Sequence, residues 1–204
     1  MDKAKIFAFV FFLLFSCRNN VEAKKLPALL ITLSDDTIPI TLDVPLNKID
    51  REPAYHNMHW GMTYFDSTGV QQSIKPGEVA EVQFEYRREK IRMVSVKNDA
   101  GIANPFHSGS QYFFLLLIKD GSLRLLKYYP LPSLSPRCGV CAPSIDYILQ
   151  KHQGTLTKIN WDDFRDSMSL YFADCPELAI KIKQKTFRSE DIEDIVGEYN
   201  RNCL

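Results

Sequence analysis

The hydrophobic period of this chain changes once, near residue 160, and this change restricts the fold more than any other feature. Residues 80–87 (AEVQFEYR) alternate apolar and polar side chains, which is the period of a strand with one buried face. Near the end of the chain, apolar residues recur at i, i+3, i+4 and i+7, the spacing of one helical face. These residues are Ile192, Ile195, Val196 and Tyr199. A chain with strands first and helices last belongs to the α+β class.

Strand signals dominate the first two thirds of the chain. Asp120-Gly121 between two apolar runs is the strongest hairpin signal. The run before it, residues 112–118, is almost wholly apolar, so we expect that strand to be covered on both faces. Pro39 and Pro45 predict that the strand over residues 37–44 lies at a sheet edge. The predicted strands cover residues 28–33, 37–44, 60–65, 70–74, 80–87, 91–96, 112–118, 123–129, 145–151 and 155–159.

These segments predict an antiparallel β-rich domain over residues 28–129, either a small sandwich or a half-barrel. A linker rich in Pro and Cys follows over residues 130–143, and residues 144–204 carry a β-hairpin and three helices. The first helix is expected to start at Trp161 with Asn160 as its cap. We expect the helices to pack at one end or on one face of the strands.

Charge and motif content exclude several function classes. Twenty-five Lys and Arg residues balance twenty-five Asp and Glu residues, so the chain lacks the basic field of a nucleic-acid-binding protein. It contains no nucleophile elbow, phosphate loop, dinucleotide fingerprint or zinc-protease motif. The sequence therefore assigns no catalytic residue, no metal ligand and no cofactor.

The N-terminus is typical of an export signal over residues 1–16. Lys3 and Lys5 precede ten apolar residues, which as a helix span roughly 15 Å, about half of a hydrocarbon core of ~30 Å. Leu-Phe-Ser-Cys at residues 14–17 resembles a bacterial lipobox, so we expect lipid on Cys17 and a tether over residues 17–27. Cleavage after Ala23 is the alternative.

Five cysteines leave one unpaired in an oxidising compartment, and lipid on Cys17 would account for it. Asp174 and Pro176 predict the cap and first turn of a helix. A short link to the last helix makes the two antiparallel, which brings Cys175 beside Cys203. A disulfide there closes a loop of about 28 residues. Two free thiols are the alternative.

The Cys138-Gly-Val-Cys141 motif allows three interpretations. A local disulfide that staples the proline-rich linker comes first. A redox centre comes second, because thioredoxin-like proteins place this spacing at a helix start, and a helix capped by Ser144 would provide one. A zinc site comes third, since no second ligand pair is present.

Three further groups of residues could bind a ligand. His56, Met58 and His59 could hold copper on a loop, although polar residues entering a strand explain them as well. Residues 98–111 form a long loop that is a candidate binding segment. A third group consists of carboxylates at a helix start, where the positive end of the helix dipole is sufficient to explain them. It consists of Asp162, Asp163 and Asp166.

Several motifs together resemble those of exported Gram-negative lipoproteins. They are Trp-Gly-Met-Thr-Tyr at residues 60–64, Ile-Lys-Pro-Gly at 74–77, Lys-Asp-Gly-Ser-Leu-Arg-Leu-Leu at 119–126, Phe-Ala-Asp-Cys-Pro-Glu-Leu at 172–178 and Ile-Val-Gly-Glu-Tyr-Asn at 195–200. The resemblance implies a β-rich body with C-terminal helices and carries no activity.

The sequence thus predicts an extracytoplasmic protein held in the cell envelope by an N-terminal lipid. Its role would be that of a non-enzymatic binding or structural protein, with the membrane and an envelope protein as partners and no nucleic acid. The alternative is a thiol-disulfide protein that uses Cys138 and Cys141.

Overall fold

Ten strands form one antiparallel sheet in the computed structural model of the chain. The structure describes residues 22–99, 111–131, 145–152 and 154–203, and the backbone alone of 133–135 and 139–141. The strands are β1 Ala23–Thr32, β2 Thr37–Pro45, β3 Met62–Phe65, β4 Gln71–Ile74, β5 Val79–Tyr86, β6 Glu89–Lys97, β7 Tyr112–Lys119, β8 Leu123–Tyr128, β9 Ser133–Ser135, β10 Gly139–Cys141, β11 Asp146–Lys151 and β12 Leu156–Lys158. The helices are α1 Phe164–Tyr171, α2 Pro176–Lys183 and α3 Ile192–Asn202.

The strand order in the sheet is β12-β11-β8-β7-β6-β5-β1-β2-β3-β4, and β9 and β10 form a separate two-stranded sheet. Strands first and helices last confirm the predicted α+β class with an antiparallel β-rich body. No helix in the described part of the chain is long and apolar enough to cross a membrane.

The sheet has an inner face and an outer face, which the alternation in β5 defines. Val82 and Phe84 point to the inner face and are buried, while Gln83 and Glu81 point to the outer face. The inner side chains of β1 to β7 share one core cluster that contains no helical residue. These strands therefore bury their inner side chains against one another without help from the three helices.

The rest of the inner face is covered by the helices. Leu123 and Leu125 of β8 and Leu149 of β11 pack against apolar residues of all three helices. The outer face of β6, β7, β8 and β11 carries a third buried cluster that includes Phe113 and Tyr128. β7 is therefore covered on both faces, as its apolar sequence predicts.

The prediction that β2 lies at an edge is wrong. β2 pairs with β1 along its whole length and with β3 only over Thr41–Asp43. Pro39 and Pro45 lie outside this doubly paired stretch, so their missing N–H groups remove no bond to β3. The edges of the sheet are β4 and β12.

Some element boundaries also differ from the predictions. β1 starts at Ala23, inside the predicted tether of residues 17–27. Lys24 and Lys25 can belong to a strand because their ammonium groups lie over the rings of Tyr86 and Phe65. The predicted linker of residues 130–143 contains β9 and β10.

Two predicted helix caps are wrong. α1 starts at Phe164 with Asp163 at its N-cap, and the amide oxygen of Asn160 accepts from the N–H of Asp162 instead, at 3.2 Å. α2 starts after Cys175, because the carboxylate of Asp174 pairs with Lys151 rather than with the helix.

Asn200 of α3 fastens the helices to the β7–β8 hairpin. Its Oδ1 accepts from the N–H of Leu123 at 2.8 Å and from the hydroxyl of Ser122 at 3.0 Å, and its Nδ2 donates to the carbonyl of Leu123 at 2.9 Å. A Cβ on Gly121, whose φ is +149°, would lie 2.6 Å from the Asn200 amide. The hairpin therefore needs a glycine at this position both for its backbone and for its contact with the helix.

We expect Asn200→Ala to lower the free energy of unfolding by about 2 kcal/mol, because it leaves the backbone polar groups of Leu123 without their partners. Urea unfolding followed by far-UV circular dichroism measures this difference. Asn202→Ala, an exposed change on the same helix, is the control, with an expected effect under about 0.5 kcal/mol. Equal effects of the two changes would contradict the fastening role.

Candidate functional site

The segment from His56 to Trp60 enters β3 through a short 3-10 turn at Tyr55–Asn57, and β3 starts only at Met62. The turn sends its side chains in different directions. His56 is half-buried at the surface, Met58 lies in the inner core, and His59 is fully buried. The three possible copper ligands of this segment therefore do not share one side of the chain.

Both ring nitrogens of His59 are occupied by backbone groups. Nε2 accepts from the N–H of Tyr129 at 2.9 Å, and Nδ1 lies 2.6 Å from the carbonyl oxygen of Phe114. Because an N–H can only donate, Nε2 is the unprotonated nitrogen and Nδ1 carries the proton. His59 thus joins the segment before β3 to β7 and to the end of β8.

Burial is the largest cause that lowers the pKa of His59 to about 4; the hydrogen bond to Phe114 opposes this shift, and the nearby His56 adds to it. The ring is therefore neutral at physiological pH. With both nitrogens engaged it has no lone pair to give to a metal ion, so the copper interpretation fails on geometry. Within the described residues, no three His, Cys, Asp or Glu side chains are gathered as a metal site would require.

A cavity of about 540 Å³ lies on the outer face of the sheet beside this segment. Trp60, Asn57 and Gly61 form one wall, and residues of β2, β3 and β4 form the floor. The ring of Trp60 stacks on Phe113, with ring centroids 5.6 Å apart and planes 18° apart. Phe113 stacks on one face of the ring, and Trp60 is among the residues that border the cavity.

Three polar side chains cross the floor of the cavity in a row. Asp43 of β2 pairs with Thr63 of β3, which pairs with Ser73 of β4. Side chains opposite each other on neighbouring antiparallel strands lie about 5 Å apart, so the row extends over about 10 Å. Lys75 lies at its end. Among the described residues, none of these four side chains has a hydrogen-bond or ion-pair partner.

We name this place the Trp60 cavity, defined by Trp60, Asn57, Asp43, Thr63, Ser73 and Lys75. Sequence reasoning missed it. The turn at Asp66–Gly69 sets the pairing of Thr63 with Ser73, so this pair could have been found from the hairpin. The contact with Asp43 could not, because β2 and β3 are joined by the long connection of residues 46–61.

The predicted acidic group at the start of α1 lines a second cleft of about 570 Å³. The carboxylate of Asp166 bonds to Lys183 at 2.8 Å, and this contact holds the pKa of Asp166 below its ordinary value. Asp162 and Asp163 face the cleft together with Arg165, Lys185 and Arg188. Charges of both signs therefore line this cleft.

A disulfide joins Cys175 and Cys203, whose Cα atoms are 5.4 Å apart, in agreement with the predicted antiparallel helices. Beside it, the ammonium of Lys151 bonds at 2.6 Å to Asp174 and lies over the rings of Tyr171 and Tyr199. Partial burial opposes ionisation of Asp174, yet bonds from Lys151 and Tyr199 hold its pKa below the ordinary value. These contacts bind the ends of α2 and α3 to β11.

Other predicted site residues lie outside the described part of the chain. They are Cys17, Cys138 and residues 100–110 of the long loop, and only the backbone of Cys141 is described. Gly139–Cys141 forms a strand paired with Ser133–Ser135. The strand predicted over residues 145–151 is confirmed as β11 Asp146–Lys151, so the alternative of a helix after Ser144 is excluded and the redox interpretation loses the helix start that it would need.

Among the described residues, the Trp60 cavity offers a concave place with polar side chains at which a ligand can bind. The described histidine with the most unusual pKa is fully used in structural bonds, and the Trp60 cavity holds polar side chains without a nucleophile and base in contact. Comparisons with known protein families, with curated proteins and with solved structures found no match to this chain.

Proposed function

We propose that this chain is an exported protein of the Gram-negative lipoprotein type, anchored in the cell envelope through Cys17, whose β-rich body acts as a non-enzymatic binding or structural module. The Cys175–Cys203 disulfide is the observation that supports this most directly. Structural disulfides persist in oxidising compartments and are rare in the cytoplasm. Lipid on Cys17 then explains the odd number of cysteines.

The start of β1 supports processing at Cys17 over processing after Ala23. The carbonyl of Glu22 accepts from the N–H of Leu46 at 2.8 Å, and the Glu22 carboxylate pairs with Arg51. Ala23 is opposite Pro45 in the sheet. Cleavage after Ala23 would remove these contacts from the folded body, whereas cleavage before Cys17 leaves them intact.

Membrane anchoring is tested by detergent phase partitioning of the wild-type chain and of Cys17→Ala, expressed with the complete N-terminus in a Gram-negative host. We expect the wild type to enter the detergent phase and to incorporate a labelled fatty acid, and Cys17→Ala to lose both. Asn19→Ala is the matched control, which should behave as the wild type. Unchanged partitioning of Cys17→Ala, or a mature chain that starts at Lys24, would contradict the proposal.

The Cys138-x-x-Cys141 spacing favours thiol-disulfide exchange as a second candidate function. Alkylation and mass spectrometry in a graded dithiol buffer separate the two candidates. Exchange predicts that Cys138 and Cys141 are reduced under mild conditions that leave Cys175–Cys203 intact. A structural role predicts that both pairs resist, and free thiols at Cys138 and Cys141 in the exported chain would exclude the staple.

A further inference from the structure

We propose that the Trp60 cavity binds a saccharide. The proposal rests on the indole ring of Trp60, a row of polar side chains without partners in the described residues, and a concave space of about 540 Å³ that these residues border together. It deepens the proposed binding function by naming the chemistry of the ligand.

The indole of Trp60 suits the apolar face of a sugar ring. A pyranose presents C–H groups on one face and hydroxyls around its rim, so it stacks on a large aromatic ring and bonds sideways to polar groups. Trp60 is held flat by its stack on Phe113, which makes it a rigid surface with little conformational entropy to lose on binding.

The polar row suits the hydroxyls at the rim of such a ring. The Asp43 carboxylate only accepts, the Lys75 ammonium only donates, and the hydroxyls of Thr63 and Ser73 do both. Sugar hydroxyls also donate and accept, so they can pair with all four groups. A row of about 10 Å in length has room for one or two rings.

Charge argues against a strongly anionic or cationic ligand. Among the described residues that line the cavity there are one carboxylate, Asp43, and one ammonium, Lys75. Lys25 is opposite Asp43 on β1, but its ammonium lies over the ring of Phe65 at 3.7 Å from the centroid. This near balance favours a neutral ligand that is bound through many hydrogen bonds rather than through one ion pair.

The position of the cavity points to a source for the saccharide, and this step rests on the proposed lipid anchor. Ala23 borders the cavity. Ala23 is six positions after Cys17, and a segment of this length spans at most about 20 Å. An anchored protein would therefore hold the cavity close to the membrane surface, within reach of glycan carried on lipid headgroups.

The test uses the whole exported chain, purified in detergent with its own N-terminus and with Trp161→Phe as background. Trp60 is then the sole tryptophan and reports binding by its fluorescence. The probes are maltotriose, mannotriose and chitotriose, each titrated alone. We expect at least one of them to shift the emission and saturate below about 5 mM.

Two variants separate the site from a nonspecific effect. Thr63→Val with Ser73→Ala keeps the strands and removes two hydroxyls, and should weaken binding about three- to tenfold. Ser67→Ala, at an exposed position in the turn of the same hairpin, is the control and should bind as the parent does. Trp60→Phe should abolish measurable binding in isothermal titration while far-UV circular dichroism stays unchanged.

Absence of saturable binding by all three probes overturns the saccharide proposal, and so does equal binding by the Thr63→Val/Ser73→Ala variant and its parent. Vesicles that carry lipopolysaccharide, compared with plain phosphatidylethanolamine vesicles, test the source with the Cys17→Ala chain. Preferential binding to the vesicles with lipopolysaccharide supports a glycan on a lipid headgroup as the ligand. Binding of the free trisaccharides without binding to these vesicles supports a soluble saccharide. These binding assays do not need the lipid on Cys17. Saccharide binding can therefore fail while membrane anchoring is confirmed, and anchoring can fail while saccharide binding is confirmed.

Discussion

Replacing His59 by alanine is expected to lower the free energy of unfolding by about 4 kcal/mol. The side chain is fully buried, and its removal leaves the N–H of Tyr129 and the carbonyl of Phe114 without the bonds that they make to the ring. Each unsatisfied buried backbone group costs about 1–3 kcal/mol. The space left by the ring adds a cavity term beside Tyr128, whose ring centroid lies 4.6 Å away.

Urea unfolding at pH 7, followed by tryptophan fluorescence, measures this change. His56→Ala provides the comparison, because His56 lies three residues away and is only half-buried, so its loss should cost less than about 1 kcal/mol. Similar losses for the two variants would show that the bonds of His59 do not hold the segment in place.

The same histidine makes stability depend on pH in a defined direction. The folded pKa of about 4 is below the ordinary value of 6.5, so the unfolded chain binds a proton more readily between these values. The stability that the neutral His59 ring contributes is complete above pH 6.5 and is lost as the pH falls toward 4. This loss lowers the free energy of unfolding by up to about 3 kcal/mol. The His59→Ala variant should lack this part of the pH dependence. The free energy of unfolding of both chains, measured at pH 7 and at pH 4.5, checks this.

Sequence patterns were enough to predict the strands and helices, but they did not predict the contacts between elements that are far apart in the chain. The alternation over residues 80–87 and the turn at Asp120-Gly121 predicted β5 and the β7–β8 hairpin, because these signals depend on near neighbours. The partners of His59 are 55 and 70 residues away. Its role therefore depends on strand order, which local patterning does not contain.

The motifs that carry the resemblance to exported lipoproteins meet one another in the structure. Asp120-Gly121 contacts Asn200 at the end of the Ile-Val-Gly-Glu-Tyr-Asn motif, and Asp174-Cys175 joins Lys151 and Cys203. Such residues fix how the helices attach to the sheet, so packing accounts for the pattern of these motifs. Function is then expected on surfaces that these attachments leave open, such as the Trp60 cavity.

The second large effect is expected from the Cys175–Cys203 disulfide. Replacing both residues by alanine should lower the free energy of unfolding by about 3 kcal/mol, since the bond closes a loop with a sequence separation of 28. The loss arises mainly in the unfolded state, which gains the freedom that the closed loop had removed. The contacts of Lys151 with Asp174 and Tyr199 remain, so the variant should still fold.

Chemical denaturation of the exported chain, with and without reductant, measures this effect. In a Cys138→Ser/Cys141→Ser background, which keeps only the Cys175–Cys203 bond open to reduction, reductant should shift the chain to the midpoint of the same background with Cys175→Ala/Cys203→Ala, and it should leave the latter unchanged. A chain that lacks residues 2–16 and stays in the cytoplasm should contain the reduced pair and show the lower stability from the start. If that chain were as stable as the exported one and carried the same bond, the disulfide would no longer argue for export, although its contribution to stability would stand.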